Sequence, residues 1–191
     1  MRTSGGRILL LAAAIGLAAC SRQESALVRD GQRPSAVIPK RQQVSPLRKK
    51  VVSLLEKKNY RKAIELMNGK NREGLEREYI LAVNGLLEAG NDAFSSGDYA
   101  AAGRAFKGVL NAYPVEPSLR DRVSHDPKRI RALQEACENR LMEQGLEEYR
   151  RGRLENAIGK WKALLAINPG HQEAKKALDT ATVQLRSMKN M

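Results

Sequence analysis

The sequence predicts an all-α protein: a short solenoid of helical hairpins closed by a C-terminal helix. Three observations predict it. The stretch "GDYAAAGRAFKGVLNAYP" recurs 55 residues later as "GRLENAIGKWKALLAINP", with Gly97, Ala102, Lys107, Leu110 and Pro114 matched by Gly152, Ala157, Lys162, Leu165 and Pro169. The composition is rich in Ala, Leu, Glu, Lys and Arg and poor in aromatics, which suits helices. No segment shows the alternating pattern of a half-buried strand.

The N-terminus reads "MRTSGGRILLLAAAIGLAAC". Arg2 and Arg7 precede an apolar run over residues 8–19 that is too short for an ordinary transmembrane helix. Small residues end the run, in Leu17-Ala18-Ala19-Cys20. This arrangement resembles a bacterial lipoprotein signal, which implies cleavage before Cys20, acylation of Cys20 and a membrane anchor. Residues 1–19 are then the signal peptide. By the same resemblance Ser21, where an Asp would favour retention in the inner membrane, points to the outer membrane, with the domain facing the periplasm. Residues 20–45, with Gly31, Pro34 and Pro39 and no helical period, read as a lipid-anchored flexible linker.

The helical domain is expected over residues 46–191. Ser45-Pro46 is a cap followed by a first-turn proline. A first helix over 47–57 and "KKNYRKAIELM" form a weak hairpin within residues 46–78, with Tyr60, Ala63 and Met67 in the places of Tyr99, Ala102 and Phe106. A polar break at 69–74 precedes a longer helix over about 75–96. Gly97 ends that helix, the second arm follows, and Pro114 stops it. Residues 113–126 read as a loop. Asp126-Pro127 opens another long helix running to Arg151, Gly152 turns the chain, and Pro169 ends the partner helix. Ala174, Leu178, Ala181, Leu185 and Met188 then form one apolar stripe, which predicts a capping helix over 172–189.

The duplicated positions have a packing logic. Gly90 and Gly145 stand inside helical patterns, where glycine costs about 1 kcal/mol relative to alanine, so they predict a close helix approach. Ala102 and Ala157 belong at the crossing, with Phe106 and Trp161 one turn further on the same face. With Leu86/Leu141, Phe94/Tyr149 and the prolines, this pattern resembles the tetratricopeptide repeat, a 34-residue helical hairpin. On that register the clear units are residues 83–116 and 138–171, with Leu86 and Leu141 where the ideal motif has Trp.

That resemblance implies a concave face lined by the first helix of each unit and used to bind peptides or partner helices. Its candidate residues are Asn84, Leu87, Asn91 and Phe94 in one unit, and Asn139, Met142, Leu146, Tyr149 and Arg150 in the other. Asn, Tyr and Arg can meet peptide groups, and Leu, Met and Phe can bury apolar side chains. The family's carboxylate clamp is incomplete: Asn91 fits it, but Val52 and Glu88 occupy other clamp positions.

The chain carries a formal charge of +13, or +11 once Arg2 and Arg7 are removed with the signal. The weak hairpin concentrates it: Arg48, Lys49, Lys50, Lys57, Lys58, Arg61 and Lys62 face only Glu56 and Glu65. Such a run is either a solvated helix face or a contact for anionic lipid, lipopolysaccharide or an acidic protein. Nucleic acid fits the charge alone, but the signal segment directs the chain out of the cytoplasm, so none is expected.

Little in the sequence points to catalysis. Cys137 has no second cysteine once Cys20 is acylated, so it reads as a small buried apolar residue, the alternative being an intermolecular disulfide. His125 and His171 lack a ligand partner at metal-site spacing, so no metal or other cofactor is expected. No phosphate loop, serine-nucleophile motif or carboxylate pair appears. The expected function is a non-enzymatic, membrane-anchored scaffold of the bacterial cell envelope that binds an envelope protein or peptide. The resemblance extends this to accessory subunits of outer-membrane or pilus and secretion assembly. The alternative is a binding or regulatory factor for cell-wall enzymes or glycans.

Overall fold

Helix after helix turns back on its predecessor in the computed structural model, which describes residues 45–190. The order is α1 (Pro46–Glu56), α2 (Tyr60–Leu66), a 3-10 turn (Gly69–Arg72), α3 (Glu76–Ser95), α4 (Tyr99–Asn111), α5 (Pro117–Arg120), α6 (Pro127–Arg150), α7 (Leu154–Ile167) and α8 (Gln172–Lys189). The described residues contain no strand, and the architecture is an all-α, solenoid-like stack of hairpins. The lipoprotein-like segment, Cys20 and the linker up to residue 44 lie outside the described residues.

Local chemistry sets the helix starts. Ser45 Oγ accepts from Arg48 N at 3.1 Å, Asp98 Oδ1 from Ala101 N at 2.9 Å and Asp126 Oδ1 from Arg129 N at 2.9 Å. Each side chain satisfies a donor that the first helical turn leaves free. His171 does the same for α8, its Nδ1 accepting from Ala174 N at 3.2 Å.

One turn closes all three hairpins. Lys58 N donates to Leu55 O and Asn59 N to Leu54 O; Gly97 N donates to Phe94 O and Asp98 N to Ala93 O; Gly152 N donates to Tyr149 O and Arg153 N to Glu148 O. This paired bonding uses up the last carbonyls of the first helix and needs a left-handed residue at its centre. Gly97 and Gly152 supply it with φ of 81° and 74°. In the first hairpin Lys58 takes the same position with φ of 55°, a conformation that costs a residue with a Cβ roughly 1–2 kcal/mol.

The hairpins also share their packing. Ala63, Ala102 and Ala157 are fully buried, and so, within 1 %, are Met67, Phe106 and Trp161 one turn beyond them. The matching positions of the first helices hold Val51, Gly90 and Gly145 in α1, α3 and α6, all buried. Both aromatics face a glycine, Phe106 against Gly90 and Trp161 against Gly145, and the slimmer Met67 shares the first core cluster with Val51. The core forms two clusters. The first joins α1–α4 to Ile130 and Cys137 of α6; the second joins Leu141 of α6 to α7 and α8. α6 therefore spans both, and Tyr99 touches both. α4 packs on α3, α6 and α7, so the hairpins are stacked rather than strung out.

Two segments differ from expectation. The polar break at 69–74 contains the 3-10 turn, and the loop before α6 contains α5. That loop is packed: Leu119 and Val123 are buried, and Arg120 Nε donates to Pro114 O at 3.2 Å within it. Apolar residues separated by charged ones gave this segment no helical period, so its burial was not visible in the sequence.

Candidate partner-binding surface

The residues expected to line a concave face separate into three groups. Leu87 is 1 % exposed and belongs to the first core cluster, so a partner cannot reach it. Asn84 is committed to the loop before α6: its Nδ2 donates to Arg122 O at 2.9 Å, and its Oδ1 accepts from Ser124 N at 3.0 Å and Ser124 Oγ at 2.9 Å. Both assignments to a binding face are therefore corrected. α3 is rotated so that these positions face the core and the loop.

Phe94, Leu146, Tyr149 and Met142 are half-buried against the core. Phe94 meets Tyr99 edge-on, with ring centroids 5.3 Å apart. Tyr149 lies 6.0 Å from the Trp161 ring, and its hydroxyl donates to Gln184 Oε1 of α8 at 2.9 Å. The capping helix thus occupies part of the face expected to receive a partner. Asn91, half-buried on α3, and Asn139 and Arg150, exposed on α6, keep their polar groups within reach of solvent. The outer surface of α6 adds a charged cluster where it turns into α7. Glu148 accepts from Arg153 Nε at 2.5 Å, Arg153 Nη2 at 2.6 Å and Asn156 Nδ2 at 3.0 Å. The Arg153 guanidinium, then the Asn156 amide, holds the Glu148 carboxyl down at about 2.

The basic hairpin is also divided. Arg48 is paired across to α3 while its side chain stays partly exposed, its Nε donating to Glu78 Oε1 at 2.8 Å and its Nη2 to Gly74 O at 3.4 Å. Its assignment to a free cationic surface is corrected, because the mostly buried Glu78 requires a partner charge. Arg61 stays exposed but donates to Arg104 O of α4 at 2.9 Å. Lys49, Lys50, Lys57, Lys58 and Lys62 are exposed, and none forms an ion pair among the described residues.

The chemically distinctive residues have structural surroundings. Cys137 is fully buried where α6 crosses Gly103 of α4. Burial, then the neighbouring Glu138 carboxylate, pushes its thiol up to about 11, so it is protonated at neutral pH. An intermolecular disulfide would require this part of the core to open. His125 lies just before α6, and the helical rise from residue 126 to 137 is about 16 Å, so it does not reach Cys137. Among the described residues, no group of three or more His, Cys, Asp or Glu is placed to hold a metal ion, and no helix is long and apolar enough to cross a membrane.

The sequence reading missed Lys58 as a turn residue. The signal was available in the repeat alignment, where Lys58 stands in the column of Gly97 and Gly152. It also missed the Glu148–Arg153–Asn156 cluster, whose spacing crosses a helix boundary and follows no helical period.

No protein-family model, curated protein or solved structure matches the chain.

Proposed function

We propose that this chain is a non-enzymatic, membrane-tethered binding module of a bacterial cell envelope, of the tetratricopeptide-repeat kind, anchored through an acylated Cys20. The observation that carries the binding part is the stack of three hairpins with a common turn and shared packing. Stacking buries the inner side of each hairpin and leaves long outer surfaces on α3 and α6, which is how helical arrays present extended faces to partners. The surface for an envelope protein or peptide is the one left open by the core and α8: Asn91, Asn139, Met142 and Arg150. The anchor rests on Leu17–Cys20 and on the charge and length of the apolar run before it.

Two measurements test this reading. Replacing Cys20 with Ala should abolish incorporation of labelled fatty acid; persistent labelling overturns the anchor. Capture from solubilised envelopes with Cys20 intact should recover outer-membrane, pilus or secretion machinery, and Asn139→Arg combined with Met142→Glu should abolish that recovery. Recovery of wall hydrolases or synthases instead favours a regulator of cell-wall enzymes. Recovery unaffected by the double substitution removes this face as the binding surface.

A further inference from the structure

We propose that the lysine-rich outer edge of the α1–α2 hairpin docks on an anionic phospholipid surface and sets the array end-on to the membrane. The inference rests on the reading of Cys20 as the anchor and goes beyond it, because an anchor alone fixes attachment and not orientation.

Three observations carry it. The first is charge that the fold leaves uncommitted. Lys49 and Lys50 lie on the half of α1 away from buried Val51, and Lys57 caps the C-terminal end of that helix, all three exposed. Lys58 and Lys62 continue the exposed cations around the turn and into α2. Glu56 and Glu65 are the acidic residues of this hairpin, so a cationic excess remains. Elsewhere the exposed charges are more evenly matched, as in the Arg140–Glu143, Arg151–Glu147 and Lys189–Glu155 pairs.

The second is the backbone at Lys58. Two of the three equivalent turns use glycine where a left-handed residue is needed, and the third holds a lysine there at φ 55°. A lysine gains nothing for the turn itself. At the tip of the hairpin it adds a second exposed lysine next to Lys57 in the chain. Strain kept at one of three otherwise equivalent turns points to a use for the side chain.

The third is position along the chain. α1 is the first described helix, and 24 residues lie between Cys20 and Ser45. Fully extended, such a length spans at most roughly 80–90 Å, so an anchor at Cys20 confines this hairpin to within that distance of the bilayer. A tether raises the local concentration of lipid head groups around the lysines, and modest individual attractions then act together.

The test uses the chain from residue 20 onward with Cys20→Ser, which carries no acyl group and retains every residue of both core clusters. Partitioning is measured by co-sedimentation with phosphatidylglycerol–phosphatidylethanolamine vesicles and with phosphatidylcholine vesicles. Binding should require the anionic lipid and fall as salt shortens the screening length. A lysine near such a surface contributes about fivefold, so Lys50→Gln with Lys57→Gln should weaken partitioning roughly 25-fold. Lys175→Gln with Lys176→Gln on α8, an equal change of charge, should leave it within about twofold of the parent. Lys58→Gly separates surface from scaffold: it should raise the denaturant midpoint and still lower partitioning about fivefold. Equal binding to both vesicle types, equal losses from the α1 and α8 variants, or binding to lipopolysaccharide or polyglutamate without binding to phosphatidylglycerol would each overturn the proposal. Acylation of Cys20 is read separately by fatty-acid labelling, so failure of the anchor and failure of this surface remain distinguishable.

Discussion

Gly145 of α6 lies directly against the Trp161 ring of α7: a Cβ added at residue 145 would stand 2.3 Å from Trp161 Nε1. The equivalent contact recurs in the preceding hairpin, where a Cβ at residue 90 would stand 2.8 Å from Phe106 Cε1. Both distances are below van der Waals contact, and both partners are rigid rings that cannot fold aside. The glycines are therefore present for space, and the two crossings are built from the same pair of pieces.

Gly145→Ala should destabilise the domain by about 1–2 kcal/mol, because overpacking outweighs the gain in helix propensity. Gly90→Ala should cost less, its gap being wider. Gly159→Ala gives the opposite sign: a Cβ there meets nothing within 4 Å inside α7, so alanine should stabilise by roughly 0.5–1 kcal/mol. Denaturant melts of the chain from residue 20, with Cys20→Ser, measure all three.

The buried alanines define a second test of the crossings. Ala157→Phe and Ala102→Phe should each cost about 1–3 kcal/mol by overpacking sites with no exposed surface. Trp161→Ala should cost about 3–5 kcal/mol, since the ring is 1 % exposed and anchors the second cluster. Glu155→Ala is the control. Its bridge to Lys189 at 2.9 Å is open to water at both ends, so its midpoint should stay near wild type. Unchanged midpoints for both Ala→Phe variants would contradict the crossing geometry.

Glu148 predicts a specific acid sensitivity. Its folded value of about 2 lies below the ordinary 4.5, so its contribution to stability is present above the ordinary value and is lost as pH falls through 4.5 toward 2. Solvent around the cluster screens the interaction, and added salt should weaken it. Carboxyl NMR should give Glu148 a midpoint near 2 in the parent, and Arg153→Gln should return it toward 4.5. In acid melts Glu148→Gln should flatten the fall in stability over that interval. A Glu148 midpoint unmoved by Arg153→Gln would show that the guanidinium is not its cause.

The starts of α1 and α6 were readable from single residues because capping is a local reaction between one side chain and an amide three residues on, as Ser45 and Asp126 act. The turns at Gly97 and Gly152 were readable because left-handed backbone selects glycine. The binding face was less legible. Asn84 and Leu87 lie on the same helix as Asn91, and helical periodicity places all three near one side. Whether a position on that side meets solvent, a loop or the core depends on what is packed against it.

The sequence by itself determined the helical class, the order of hairpins, the two glycine turns and the small-residue positions at the crossings. Those features depend on local backbone preferences and on a repeat that presents the same solution twice in clear form and once weakly. Only the tertiary structure decided that Arg48 is paired with Glu78, that Asn84 holds the loop before α6, that α8 engages Tyr149, and that five lysines stay uncommitted along the α1–α2 hairpin and its turn. These outcomes depend on which elements stack on which, at separations of up to 40 residues. A side chain's type states what it can bond to, and packing alone states what is within reach.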